Sequence, residues 1–197
     1  MHSFTDLLKI FNNALVKTSF EGHPAELYDP IRYTMDLGGK RMRPVSLLMS
    51  CDMFEGDIQD AIDAAIGIEV FHNFTLIHDD IMDKAPIRRG KATVYKKWSE
   101  NIAILSGDTM FALAYKYVSK VHQKILSPIL ETFTQTAIEI CEGQQLDINY
   151  ETSYNIEIND YLSMIRLKTA VLLAASLKVG AIIAGADDKN AADIYHF

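Results

Sequence analysis

The sequence predicts an all-α fold, and three features carry that prediction. Apolar residues recur three and four apart, the spacing of one helix face. No sustained apolar–polar alternation of strand type appears. Only 5 prolines and 10 glycines interrupt 197 residues, and several bound the apolar-periodic segments.

The elements follow in order. Leu7, Leu8, Phe11 and Leu15 mark a first helix. Pro44 stands at the first turn of "VSLLMSCDMF", and Gly56 follows that segment. "DIQDAIDAAIGIEVFHNFTLIHDDIMDKA" reads as one long helix over 57–85, with Glu69 inside its apolar run, and stops before Pro86. Two more long helices are predicted over 101–122 and 127–148, and "NDYLSMIRLKTAVLLAASLKVGAIIAG" (159–185) reads as another. The segment 185–197 reads as a polar loop leading into a further helix. Six or seven helices with short connections are expected.

The length fits a single domain over 1–197, and 49% hydrophobic residues are enough for a packed core. A net charge of −7 argues against nucleic-acid binding and against attraction to anionic membranes. Cys51 and Cys141 form no disulfide framework, which points to a reducing, cytoplasmic setting. The start "MHSFTDLLKI" has neither the basic residues nor the apolar core of a signal peptide. The most apolar stretch, 170–186, contains Ser176 and Lys178 and is too short to span a membrane, so a core helix is expected there.

Chemistry concentrates in "FHNFTLIHDDIMDKAPIRRGKATVYKKW" (71–98). Asp79 and Asp83, four apart on a helix, share a face, and Asp80 is turned away by about 100°. Two such carboxylates repel unless something neutralises them. A solvated acidic turn would do so with water, and a bound Mg²⁺ would do so with charge. The apolar lead-in favours the second reading, because buried carboxylates need a partner. Arg88 and Arg89 follow Pro86. Their forked donors fit phosphate oxygens, or they pair with Asp79 and Asp83 themselves. His72 lies two turns before Asp79 on nearly the same face, as a core residue or a ligand contact.

A second basic knot stands upstream in "LGGKRMRP" (37–44). Gly38 and Gly39 free the backbone, and Lys40, Arg41 and Arg43 crowd three cations before Pro44 opens a helix. An anion site and a flexible basic loop both fit. The glycine spacing is not that of a Walker motif.

Taken together, "GGKRMRP", "HNFTLIHDDIMD", "RRGKATVY", "LSGDTMFALA", "GQQLD" and "RLKTA" occur in an order that resembles the trans-prenyl diphosphate synthases. The resemblance runs from about residue 30 to 185, and six separated motifs make it far more specific than any one. It implies an isoprenoid synthase-type helical bundle around a central cavity, a homodimer, and Mg²⁺ as cofactor. The implied reaction joins isopentenyl diphosphate to an allylic prenyl diphosphate.

The resemblance also implies roles by position. Asp79 and Asp83 would hold Mg²⁺. Arg88, Lys168 and Thr169 would bind the allylic diphosphate, and Lys40, Arg43, His72 and Arg89 the isopentenyl diphosphate. Gln144 and Asp147 would sit over the reacting carbons, with Asp80 and Asp108 in support. Phe74 and Thr75, five and four before the first aspartate, would gate the tail pocket. A bulky Phe74 and the absence of an insertion in the motif favour a short product, C20 ahead of C15.

The sequence departs from the family pattern at its end. The second aspartate-rich motif, FQxxDDxxD, is not found. Asp187 and Asp188 lack the preceding Phe-Gln, and Ala191 stands where the family has aspartate. The expectation is the N-terminal portion of a synthase, without the C-terminal part of the domain and inactive alone, with apolar faces left uncovered. Three alternatives were weighed. A non-catalytic regulatory subunit has no use for an intact first motif. A His-Asp phosphohydrolase would use His72, His78, Asp79 and Asp83, but leaves the arginine pair unexplained. A head-to-head condensing enzyme lacks the GGKRxRP and RRG companions.

Overall fold

The computed structural model describes residues 1–153 and 155–196. Its helices are α1 (Phe4–Lys17), α2 (Ala25–Asp36), α3 (Met42–Met53), α4 (Ile58–Met82), α5 (Val94–Lys97), α6 (Glu100–Val118), α7 (Leu126–Tyr150), α8 (Ile158–Ile165), α9 (Val171–Ile183) and α10 (Asp188–His196). A 3₁₀ turn (Gln123–Ile125) precedes α7, and a π-turn (Arg166–Ala170) joins α8 to α9. One two-stranded antiparallel hairpin, β1 (Ile87–Arg88) and β2 (Lys91–Ala92), interrupts the helices. The all-α prediction holds.

Local chemistry explains the helix starts. Ser3 and Asp6 form a capping box on α1. The side chain of Asp57 accepts from the Gln59 N–H at the start of α4, and Ser99 accepts from Ile102 at the start of α6. Pro44 lies in the first turn of α3, as expected.

The helix α4 is the axis of the molecule. Its buried residues point in every direction, from Ile58 and Ala61 through Phe71 to Ile77. A helix apolar all round must be enclosed, and α4 packs against α3, α6 and α9. The crossing of α9 on α3 depends on Gly180, where a Cβ would lie 2.1 Å from the Leu47 carbonyl oxygen. Among the described residues, no helix is long and apolar enough to cross a membrane.

Three sequence expectations are corrected here. Ten α-helices form among the described residues, not six or seven. The additional α2, where no helix was expected, contains Pro30. Pro30 lacks an N–H, so α2 loses one ladder hydrogen bond there. The predicted single helix over 159–185 is broken by the π-turn. Hydrogen-bond phase leaves no mark in residue type.

Candidate active site

The C-terminal turn of α4 delivers the carboxylates. Asp80 turns inward and is buried. The hairpin turns the chain back so that Arg88 meets it, with Nε at 2.9 and 3.0 Å from the two carboxylate oxygens and Nη2 at 2.8 Å from Oδ1. Burial raises the Asp80 carboxyl above the ordinary carboxylate range, and the Arg88 contact opposes that rise. The arginine pair therefore does not neutralise Asp79 and Asp83. Arg88 answers Asp80 instead.

The side chains of Asp79 and Asp83 stand outside the ion pairs and hydrogen bonds found among the described residues. Burial raises Asp79, while the positive charge of Lys168 pulls it back down. A partly buried carboxylate with no donor, one turn from a second on the same face, is a hard oxygen pair awaiting a cation. It suits Mg²⁺, which takes one or two carboxylates and fills its other positions with phosphate and water. No group of three or more His, Cys, Asp or Glu gathers around a common point among the described residues.

A cavity of about 590 Å³ opens beside the start of α3, lined by Lys40, Arg41, Arg43, Glu69, His72 and Arg89. All four residues expected at an isopentenyl diphosphate are among these. Nη1 of Arg43 donates to Nε2 of His72 at 3.3 Å, and its buried Nε has no partner. Burial lowers the affinity of Arg43 for its proton, and that of Arg89 likewise. His72 is pushed down to about 3, by burial first and then by Arg43 and its neighbouring arginines. It is a neutral imidazole, which leaves Nε2 free to accept. Arg89 has φ +51 and donates to the Gly38 carbonyl, which ties the hairpin to the glycine loop.

A smaller cavity of about 120 Å³ adjoins it, lined by Thr75, Asp79, Gln144, Lys168 and Thr169, together with Arg43 and His72. These last two form a wall common to both cavities. The π-turn presents Lys168 and Thr169. It fits against α7 because residue 143 is glycine; a Cβ there would lie 2.4 Å from the Lys168 nitrogen and 2.8 Å from the Leu167 carbonyl carbon. Nζ of Lys168 donates to Asp147 at 2.5 Å. Burial alone would lower Lys168, but the Asp147 hydrogen bond and the Asp79 charge outweigh it and hold it above its ordinary value. The buried Oε1 of Gln144 has no hydrogen-bond partner.

Other expected residues stand apart. Thr75 lines the small cavity and donates to the His72 carbonyl at 2.8 Å. Phe74 lies outside its lining, in an aromatic cluster with Phe71, Phe111 and His78 at centroid distances of 5.4, 5.3 and 4.8 Å. Asp108 lies on α6, exposed, with His78 at 3.8 Å, and lines an apolar groove with Leu27 and Leu105. His78 turns toward the Ile104 carbonyl at 3.3 Å. That removes it from the ion the phosphohydrolase alternative would need. Sequence reasoning assigned no role to Glu69, which lines the larger cavity and pairs with Arg41. A lone acid in an apolar run, three residues before His72, was the available signal.

Residues 24–197 match the family model described as polyprenyl synthetase. The geranylgeranyl diphosphate synthase of Methanosarcina mazei is 44% identical over 170 residues, which is 85% of this chain and 52% of that protein. The geranylfarnesyl diphosphate synthase of Natronomonas pharaonis is 36% identical over 200 residues, 92% of this chain and 59% of its own. A crystal structure of a geranylgeranyl pyrophosphate synthase superposes with a TM-score of 0.97 at 47% identity, covering 100% of this chain and 60% of that one. The geranylgeranyl pyrophosphate synthetase of the archaeon Geoglobus acetivorans gives 0.93 at 36% identity, covering 98% and 63%. The chain spans little more than half the length of the curated relatives it matches. Matched along most of its own length and built on the same helical fold, the chain belongs to the polyprenyl synthetase family of trans-prenyl diphosphate synthases.

Proposed function

We propose that this chain carries the diphosphate-binding half of an enzyme that condenses isopentenyl diphosphate head-to-tail with an allylic prenyl diphosphate. One observation supports this above all others. Two adjoining cavities share Arg43 and His72; one is rimmed by Lys40 and Arg89, the other by Asp79, Lys168 and Thr169. Two diphosphates, held side by side, are what a condensation needs.

In this reading Asp79 and Asp83 hold Mg²⁺ against the allylic diphosphate. The metal, when bound, neutralises charge that develops on the leaving diphosphate. Lys168, Thr169 and the free edge of Arg88 bind the same anion. As the allylic C–O bond breaks, the cationic side chains stabilise the departing diphosphate. Lys40, Arg43 and Arg89 hold the isopentenyl diphosphate. Neutral His72 accepts from Arg43 and keeps its guanidinium aimed between the cavities. The double bond of the isopentenyl group supplies the electron pair for the new C–C bond, and the resulting cation loses a proton to restore an alkene. Gln144 and Asp147, the latter bridged to Lys168, lie beside the reacting carbons. Apolar walls such as Leu76, Ile140 and Leu172 keep water from the cation. Asp80 and Asp108 are supports: the first orients Arg88, and the second stands beside His78.

Thr75 and Phe74 set the product near C20. Phe74, next to Thr75 of the small cavity and packed in the aromatic cluster, would limit tail growth by its bulk. The protein works as a cytoplasmic homodimer, and the 197 residues alone turn over little because they supply one carboxylate pair. The test incubates the intact gene product, and separately this chain, with Mg²⁺, isopentenyl diphosphate and C5, C10 or C15 allylic diphosphates. Mass spectrometry reads the products. A C20 diphosphate from the intact protein supports the reading. No prenyl product from any primer would sink it, and full turnover by the 197-residue chain would refute its inactivity.

A further inference from the structure

Arg41 is the cation of the Lys40–Arg43 cluster that no role above uses. It opens α3 with φ +51 and points inward, with 7% of its surface exposed. One nitrogen donates to Glu69, and Nη2 donates to the Met35 carbonyl at 2.9 Å. Glu69 is 2% exposed, and Nδ2 of Asn73 donates to its Oε1 at 3.0 Å. A buried carboxylate in the middle of an apolar helix is thus matched to one arginine and one amide, as burial demands.

Placement gives the pair its use. Glu69 precedes His72 by three residues on α4, so both face the start of α3. Two rungs join the helices there: Arg41 to Glu69 in the interior, and Arg43 to His72 at 3.3 Å nearer the surface. Lys40 lies beside the inner rung and is exposed to the cavity. Four cations around one cavity repel one another. Glu69, the only carboxylate among the described residues lining it, neutralises Arg41, whose donors are already taken up by Glu69 and the Met35 carbonyl. Lys40, Arg43 and Arg89 remain to meet the anion.

We infer that Arg41 and Glu69 are positioning residues, a buried pair that fixes the 37–43 loop so that Lys40 and Arg43 converge on isopentenyl diphosphate. The inference rests on the proposed function for the identity of that anion.

The test uses the intact gene product carrying Glu69→Gln, Arg41→Lys, or the double change Arg41→Met with Glu69→Met. Exchanging both members of a buried ion pair for apolar groups often leaves stability unharmed. The measurements are thermal unfolding, KM for each substrate, kcat, and calorimetric titration with inorganic diphosphate. The double variant is expected to melt near the wild type while KM for isopentenyl diphosphate rises about tenfold or more. The allylic KM and kcat should change far less, and Arg41→Lys should fall between the two proteins. A folded double variant with an unchanged isopentenyl diphosphate KM overturns the inference. So does a parallel change in kcat and both KM values, or failure of every variant to fold, since each makes the pair a fold element only. If the wild type turns over no allylic diphosphate, the functional reading fails separately. Equal affinity of wild type and double variant for inorganic diphosphate then overturns the positioning role.

Discussion

His72 is held uncharged by the fold, and that gives a signature in acid. Its folded pKa is pushed down to about 3, whereas an unfolded histidine titrates near its ordinary value of about 6.5. Above that value both states are neutral and pH has no effect through this residue. Between the two values the unfolded chain binds a proton that the folded chain does not, so stability falls as pH falls. His72→Gln should flatten the stability curve between about pH 6 and 4 relative to wild type, by at most about 1.4 kcal/mol per pH unit. Urea denaturation at several pH values checks it; parallel curves would show that His72 protonates freely in the fold. Asp79→Asn should lower kcat/KM of the intact enzyme about a hundredfold or more, read by steady-state assay, because no neighbouring carboxylate replaces it. Phe74→Ala should lengthen the product beyond C20 in the same mass-spectrometric assay. At this scale the sequence showed that Asp79 and Asp83 share a face and that cations crowd at 40–43. It could not show that Arg88 answers Asp80 or that Arg41 answers Glu69. Residue type gives a charge its sign, and only the fold chooses its partner.

Among the elements, the contact of α7 with the π-turn is the most exacting. The missing Cβ at Gly143 lets the backbone of Leu167 and Lys168 approach. Gly143→Ala should cost about 1–3 kcal/mol of stability by overpacking, seen as a lower Tm. It should also raise KM for the allylic diphosphate, because Lys168 and Thr169 move with the turn. A variant that melts and binds like wild type would show that the two elements part easily. The long helices were legible from apolar spacing, and α4 was placed to within a few residues. Four elements were not: α2, the short α5, the β1–β2 hairpin and the π-turn. A proline inside a helix is ordinarily a stop, yet Pro30 lies within α2. The π-turn went unread because residue type does not register one extra residue in a turn.

For the whole molecule, the sequence carried the fold class and the list of motifs but not their meeting. Residues 40–43, 69, 72, 75, 79, 89, 144 and 168–169 come from the loop and start of α3, from α4, the hairpin turn, α7 and the π-turn, and they line two cavities with a common wall. That adjacency is a property of packing. The chain also exposes a stripe on α8: Ile158, Tyr161, Leu162 and Ile165. Their spacing is that of one helix face, and an apolar face open to water drives association. The 197-residue chain should sediment as more than a monomer at micromolar concentration, and Ile158→Glu with Leu162→Glu should shift it toward monomer. Unchanged sedimentation would place the contact elsewhere. The π-turn lies between this stripe and the buried face of α9. A turn closed over five residues instead of four holds one residue that an α-helix would not need. Deleting a single residue from 166–170 would let the α-helix run straight through, and because the wider turn absorbs its extra residue, α8 and α9 would keep nearly their present phase. Helical content would survive, as circular dichroism would show, while Lys168 swung away from Asp147 and calorimetry recorded weaker diphosphate binding. The extra residue of that turn serves to present a side chain, not to aim a helix.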